Sequence, residues 1–270
     1  MNKLLASIEN LVDKAGGTWG IILEDLDTKE KWQWNQDDTF YAASIIKIPI
    51  MVAAFAAFEQ GKFRLSDPLT LKREDIVGGS GVLQHLSPGI SLSLYDLIVL
   101  MIIQSDNTAT NMLIDLIGKK EIQETMQTIG LKKSIFHNKL MIIPVQREGN
   151  NIVTAKEMAF LLQQIIKGKI VSTYACEQMI HIMKNQQIQD SLPGKLPDRN
   201  PNIIGARPQW ELAHKTGNIT KVRHDVGIFY VGSRTLIASV LSKGIDDFKS
   251  KAIFQDIGYE IFGYLKDSKS

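Results

Sequence analysis

Ser44-Ile45-Ile46-Lys47 opens the stretch that decides the fold, and Ile48–Phe58 (IPIMVAAFAAF) follows without a charge. These residues are apolar on every side, a pattern that predicts a buried helix over residues 44–59, with Gly61 as its stop. The uncharged run has eleven residues, well short of the ~20 that a membrane-spanning helix needs. The stretch therefore predicts a helix in the core of a globular protein.

Both ends of the chain supply helix and strands, whereas the middle is helical. Leu4, Leu5, Ile8, Leu11 and Val12 recur at helical spacing, which predicts an amphipathic first helix. Strand-like patterns lie at residues 18–25, 31–35, 210–215, 225–231 and 235–242. Further helical patterns cover residues 94–103, 107–117, 121–129, 154–166, 173–185 and 246–265.

This order of elements predicts an α+β fold. We expect an antiparallel sheet flanked by the N- and C-terminal helices, plus an all-helical inserted lobe. Residues 1–37 and 201–270 are expected to form the discontinuous α/β lobe and residues 38–200 the helical lobe, together one functional unit. A ligand cleft between the lobes is the expected site.

The composition is that of an ordinary globular protein. Of 270 residues, 44% are hydrophobic and 22% charged, and 31 Lys plus Arg against 29 Asp plus Glu give a formal charge of +2. This balance gives no reason to expect a nucleic acid or a membrane surface as partner. We expect a small-molecule substrate and a monomer. Cys176 is the one cysteine, which excludes an internal disulfide and a multi-cysteine metal site.

The N-terminus lacks the features of an export signal. The first residues meet Glu9 and Asp13 almost at once, without a long apolar core or a small-residue cleavage site. We therefore expect either a cytoplasmic protein or a mature form from which an export signal has been removed, and the compartment stays open.

Several common motifs are absent from the sequence. No Gly-Lys pair is followed by Ser or Thr, which excludes a P-loop. The five histidines are scattered without metal-ligand spacing, so we expect no metal and no cofactor. Gly78-Gly79-Ser80-Gly81 lacks the last glycine of a nucleophile elbow and predicts a flexible turn. His224-Asp225 could belong to a triad, but neighbours on a strand point to opposite faces.

Three short motifs remain, and each also has an ordinary structural explanation. Ser44 and Lys47 form the single Ser-x-x-Lys of the chain, and residues three apart share a helix face. At a helix N-terminus, unpaired N–H groups also favour an oxyanion. Ser105-Asp106-Asn107 could equally be a helix N-cap. Lys215-Thr216-Gly217 could be the junction at which a strand ends.

Taken together and in this order, the three motifs are the signature of class A β-lactamases and penicillin-binding proteins. The sequence resembles these serine hydrolases around residues 41–49, 81–89, 105–116 and 214–227. The resemblance implies a helical lobe inserted into an α/β domain. Gln84 and His85 match a loop that lines the family's cleft, although packing at the rim explains them equally well.

The resemblance also implies a role for each residue of the first two motifs. Ser44 is the expected nucleophile, and Lys47 takes its proton directly or through water, which requires a lowered pKa. Ser105 is expected to relay the proton to the leaving nitrogen. Asn107 is expected to bind the amide carbonyl of the substrate's side chain.

The third motif is implied to hold the rest of the substrate. Lys215 and Thr216 are expected to bind its carboxylate, and Gly217 lets the strand approach closely. The backbone N–H groups of the nucleophile and of Asn218 are the expected oxyanion hole. Arg223 is a second candidate for the carboxylate, with a solvated strand charge as the alternative.

The sequence departs from the class A pattern between residues 138 and 158. The family's Arg-x-Glu-x-x-Leu-Asn stretch supplies the glutamate that activates the deacylating water. Here Arg147 and Glu148 are adjacent, and no Leu-Asn follows. Glu148 therefore cannot be assigned as that base, and a solvated turn residue is the alternative.

Three functions are compatible with these motifs. The first is a serine β-lactamase-type hydrolase that opens the β-lactam amide through a Ser44 acyl-enzyme and, without the loop glutamate, deacylates slowly. The second is a penicillin-binding DD-peptidase or an esterase-like serine hydrolase, with a peptidoglycan-like substrate. The third is a non-enzymatic protein that senses β-lactams or peptidoglycan fragments. The intact set Ser44, Lys47, Ser105 and Lys215 disfavours the third, since a binder needs no proton relay.

Overall fold

The computed structural model describes residues 1–141, 149–199 and 204–267. Within these ranges the helices are α1 (Asn2–Ala15), α2 (Lys47–Glu59), α3 (Leu94–Ile103), α4 (Asn107–Ile117), α5 (Lys119–Thr128), α6 (Ala155–Ile166), α7 (Thr173–Lys184) and α8 (Asp247–Asp267). The strands are β1 (Thr18–Asp25), β2 (Lys31–Trp34), β3 (Thr39–Tyr41), β4 (Pro68–Thr70), β5 (Ser91–Ser93), β6 (Ile152–Thr154), β7 (Trp210–Ile219), β8 (Val222–Val231) and β9 (Arg234–Lys243). None of these helices has the length and hydrophobicity of a membrane span.

The chain divides into two compact units, which are described separately. The first comprises residues 1–45, 154–163 and 188–270, and the second comprises residues 46–153 and 164–187. The lobe boundaries inferred from the sequence, at 37/38 and 200/201, stay a prediction.

The first unit is built on a five-stranded antiparallel sheet with strand order β2-β1-β9-β8-β7, as expected for the α+β class. Helices α1 and α8 contribute Ile8, Phe254 and Ile257 to an apolar core that also takes Trp19 from β1 and Phe229 from β8. Strand β7 lies at one edge of this sheet. Its residues therefore have a hydrogen-bonded neighbour within the sheet on one side only.

The second unit is built around α2. The helix is buried along nearly its whole length, which confirms the prediction of a core helix. It packs against α3, α4, α5 and α7. Because it is surrounded by other helices, it can be apolar on every side.

Several element boundaries differ from those predicted, and two of the differences lie at Ser44 and at the Lys-Thr-Gly motif. Helix α2 begins at Lys47 rather than Ser44, because Ala43–Ile46 form a 3₁₀ turn in which the Ile45 N–H donates to Ala42 O (3.2 Å). Such turns often begin α-helices. Strand β7 continues to Ile219, four residues beyond the predicted end, because it pairs with β8 along its whole length. The three-residue strands were not predicted, since they are too short to show a periodic pattern.

Candidate active site

Lys47, the first residue of α2, is the centre of a polar cluster inside the second unit. Its side chain is completely buried, and Nζ donates hydrogen bonds to Ser105 O (2.6 Å), Ser105 Oγ (3.1 Å) and Asn107 Oδ1 (2.8 Å). A buried amine must find such partners, because burying it without them is costly. The structure thus brings together three of the predicted catalytic and binding residues, Lys47, Ser105 and Asn107.

Ser105 adopts an unusual backbone conformation between α3 and α4. Its φ is 53°, in the left-handed region that non-glycine residues seldom occupy. This conformation presents both the carbonyl and the hydroxyl oxygen of Ser105 to Lys47. Strained backbone persists where the surroundings fix it, and it concentrates at functional sites.

Asp106 has a structural task between these two residues. Its carboxylate accepts the Ala109 N–H (2.9 Å) as the N-cap of α4, and it also accepts the N–H groups of Val82 (2.7 Å) and Leu83 (2.8 Å). The N-cap interpretation of the Ser-Asp-Asn motif is therefore right for Asp106. Its two neighbours contact Lys47 instead, so the motif combines both roles.

Asn111, one helical turn beyond Asn107, was not singled out from the sequence. Its side-chain amide accepts the Leu140 N–H (2.9 Å) and donates to Leu140 O (2.8 Å), which ties residues 139–141 to α4. The signal was available, because an asparagine on the buried face of a helix requires polar partners. Arg147 and Glu148 lie outside the described residues.

In the first unit, the Lys-Thr-Gly motif lies inside β7 rather than at a strand end. Gly217 lies directly against the backbone of the predicted nucleophile. A Cβ atom at this position would lie 3.2 Å from the backbone nitrogens of both Ser44 and Ile45. A side chain here would force this backbone to shift by a few tenths of an ångström, so the close approach favours glycine. The structure therefore places Ser44 beside the strand that carries Lys215, Thr216 and Asn218.

Lys215 is also completely buried, and its Nζ donates to Thr216 O (2.9 Å). Burial lowers its pKa from the ordinary 10.5 to about 7, although the negative charge of Asp225 opposes this shift. The amine therefore changes charge near neutral pH. A ligand carboxylate next to it would favour the protonated form.

Arg223 is not a solvated strand charge, because it is only 6% exposed. Its guanidinium donates to Ser250 Oγ (3.3 Å) and Ser191 Oγ (3.3 Å), and Nη1 lies 3.7 Å from Asp190 Oδ1. In the β7–β8 register Arg223 faces Asn218. Its proposed role toward a carboxylate stays a prediction.

The neighbours His224 and Asp225 have separate partners, as expected for adjacent residues of a strand. Burial lowers the pKa of His224 to about 4, despite the hydrogen bond between its ring and Tyr41 O (2.8 Å), so this imidazole is neutral at pH 7. Asp225 lies 2.8 Å from His214 Nδ1 and accepts the Leu192 N–H (3.0 Å). Sequence reasoning missed the His214–Asp225 pair, which only the β7–β8 register brings together.

The described residues include no group of three or more His, Cys, Asp and Glu side chains that could hold a metal ion.

Comparison with known proteins gives consistent similarities over nearly the whole chain. The sequence model of the Beta-lactamase enzyme family matches residues 3–265. A β-lactamase of Rhodobacter capsulatus is 27% identical, with 98% of this chain and 89% of the relative aligned. The crystal structure of a β-lactamase from Sphaerobacter thermophilus has a TM-score of 0.88 at 30% identity and covers 98% of this chain and 97% of its own. The structure of PBP-A has a TM-score of 0.85 at 28% identity, with the same coverage.

The lowered pKa of Lys215 predicts a specific pH dependence of stability. Between about pH 7 and 10.5 the unfolded chain binds a proton at this lysine more fully than the folded one. The free energy of unfolding should therefore rise with pH across that window. Urea unfolding of wild type and Lys215→Met at several pH values measures the contribution of Lys215 to the free energy of unfolding, because the variant lacks the titrating amine.

Lys120→Met, at the surface of α5, is the matched control and should leave the pH dependence of the wild type unchanged. A constant difference in unfolding free energy between wild type and Lys215→Met from pH 7 to 10 would show that the pKa of Lys215 is not lowered.

Proposed function

Because the chain belongs to the Beta-lactamase enzyme family, we propose that it hydrolyses β-lactams through an acyl-enzyme on Ser44. The chain is a serine β-lactamase-like hydrolase that acts on cyclic amides. The observation that carries the assignment of residues is the buried Lys47 amine, which is hydrogen-bonded to both Ser105 and Asn107. All three residues belong to the signature motifs of the serine hydrolases that the sequence resembles, so their contact supports the assignment.

In the proposed acylation, the Ser44 oxygen attacks the β-lactam carbonyl carbon and forms a tetrahedral intermediate. Lys47 takes the Ser44 proton, and Ser105 delivers a proton to the β-lactam nitrogen as the carbon–nitrogen bond breaks. The hydrogen bond between Lys47 Nζ and Ser105 Oγ supports this relay, because it lets the proton pass between the two groups. The product is an ester of Ser44 with the ring opened.

Two backbone N–H groups, of Ser44 and Asn218, are proposed to stabilise the oxyanion. The close packing of Gly217 on the Ser44 backbone supports this role, since it puts Asn218 one residue away from the contact. Donors fixed in advance at the developing charge are usually the largest single contribution to such catalysis.

The substrate is proposed to bind through its carboxylate and its side-chain amide. Lys215 and Thr216 would hold the carboxylate, with Arg223 contributing charge from the neighbouring strand. The burial of Lys215 supports this, because a desolvated amine gains more from pairing with an anion than an exposed one does. Asn107 would donate from its amide to the carbonyl of the substrate's acylamino side chain.

Deacylation is proposed to be slow. Hydrolysis of the ester requires a base that activates water, a contribution of ~10²–10⁴-fold. The segment that Asn111 ties to α4, residues 139–141, reads Lys-Leu-Met and contains no carboxylate. The Met141 side chain lies 3.3 Å from the point that a Cβ atom on Gly79 would occupy, so this residue places an apolar side chain beside Gly79.

The same observation favours a second candidate function, a penicillin-binding DD-peptidase or esterase-like hydrolase acting on a peptidoglycan-like substrate. PBP-A resembles this chain in fold, and a point mutant of PBP-A, 27% identical to this chain, is described as an acyl-enzyme complex with penicillin G. An enzyme of this kind would also form the Ser44 ester and release it slowly with β-lactams.

We expect benzylpenicillin to add one acyl group to the protein, at Ser44. Ser44→Ala removes the nucleophile and should abolish the adduct in intact-mass spectra, while the melting temperature stays close to that of the wild type. Ser233→Ala, at the exposed β8–β9 turn, is the control and should acylate normally. An adduct that persists in Ser44→Ala would refute the assignment.

Stopped-flow hydrolysis of a chromogenic cephalosporin tests the proposed slow deacylation. Fast acylation and slow deacylation predict a burst of about one equivalent, followed by a steady state slower than the ~10–10³ s⁻¹ of efficient enzymes. Glu148→Gln should slow this steady state less than tenfold. Efficient turnover without a burst would contradict slow deacylation, and a collapse of turnover in Glu148→Gln would identify this carboxylate as the base.

A further inference from the structure

The glycine loop Gly78-Gly79-Ser80-Gly81 adjoins the Ser-Asp-Asn motif and is largely exposed. Gly79 and Gly81 have φ values of 88° and 110°, which favour glycine over any other residue. Three glycines in four residues give the loop high conformational freedom, so contacts from outside must hold its shape.

Two residues, Asn107 and Gln84, donate hydrogen bonds to alternate carbonyl oxygens of this loop. Asn107 donates its backbone N–H to Ser80 O (3.0 Å) and its side-chain Nδ2 to Gly78 O (3.1 Å). Gln84 donates its side-chain Nε2 to Gly79 O (2.6 Å) and Gly81 O (3.0 Å). Asn107 thus contacts one pair of carbonyls and Gln84 the other.

The loop also packs tightly against the motif. A Cβ atom on Gly79 would lie 2.6 Å from Asn107 Nδ2, and one on Gly81 would overlap Asp106. The loop therefore fixes the orientation of the Asn107 amide: Nδ2 points to Gly78 O, and Oδ1 accepts the hydrogen bond from Lys47 Nζ. A displaced loop would leave that amide free to turn.

We propose that Gln84 is a positioning residue, which holds the glycine loop and thereby aims the Asn107 amide at the side-chain carbonyl of the substrate. The inference rests on the proposed function, in which Asn107 binds that carbonyl. Gln84 has no role in the proton relay. Its loss should therefore affect substrates that carry an acylamino side chain more than substrates that lack one.

Gln84→Glu tests this at constant size. A carboxylate cannot donate, and one of its oxygens would take the place of Nε2 and face the two loop carbonyls. The measurement is the acylation rate constant with benzylpenicillin, which has an acylamino side chain, and with 6-aminopenicillanic acid, which has a free amine instead. We expect the benzylpenicillin rate constant to fall about tenfold, as for the loss of hydrogen bonds that hold the loop, and the other by far less.

Three further variants sharpen the test. Gln127→Glu makes the same chemical change on an exposed face of α5 and should alter neither rate constant. Gln84→Met removes the donors without adding charge and serves as the test if Gln84→Glu does not fold. It should likewise lower the rate constant with benzylpenicillin more than that with 6-aminopenicillanic acid. In an Asn107→Ala background the same Gln84 change should leave the ratio of the two rate constants unaltered, because the partner through which it acts is gone.

The outcomes separate this inference from the function on which it rests. A wild type that neither substrate acylates would overturn both. A wild type that acylates normally, with equal losses for both substrates in the Gln84 variants or with no loss at all, would overturn the positioning role alone. An undiminished effect of the Gln84 change in the Asn107→Ala background would do the same.

Discussion

The burial of the Lys47 amine is the constraint on which the second unit depends. Lys47 begins a helix that is otherwise apolar on every side, so its amine can be satisfied only by groups that other elements bring to it. Ser105 meets this requirement with two oxygens and Asn107 with one. The left-handed backbone of Ser105 presents two of these oxygens to the amine, and Asn107, whose Nδ2 donates to Gly78 O, presents the third.

A second buried lysine, Lys215, lies in the first unit and has a different environment. It lies on an edge strand, where its amine is completely buried and donates a hydrogen bond to Thr216 O. Burial lowers its pKa to about 7, and the negative charge of Asp225 acts in the opposite direction. An anion beside the amine would raise this pKa again. Lys47 Nζ thus donates to three oxygens of the protein, whereas among the described residues Lys215 Nζ donates to Thr216 O.

Motif spacing was enough to single out Lys47, Ser105 and Asn107, which the structure brings together, because each motif is local in sequence. The α+β class followed from periodicity, and the buried character of α2 followed from its lack of any polar face. Long-range pairing was beyond reach: Asn107 contacts the carbonyls of Gly78 and Ser80, and His214 pairs with Asp225 only through strand register. Arg223 is buried rather than solvated, which its local sequence does not reveal, because Ser191 and Ser250 are distant in the chain.

The proton transfer through Lys47 is the central claim, and one kinetic measurement tests it most directly. Lys47→Arg keeps nitrogen donors beside Ser105 but cannot accept a proton, because a guanidinium stays charged in proteins. The rate constant of acylation by benzylpenicillin at neutral pH should fall by ~10²–10⁴-fold, as expected for loss of a general base, while Lys120→Met stays at the wild-type value. A folded Lys47→Arg variant that acylates as fast as the wild type would show that Ser44 is activated by another group.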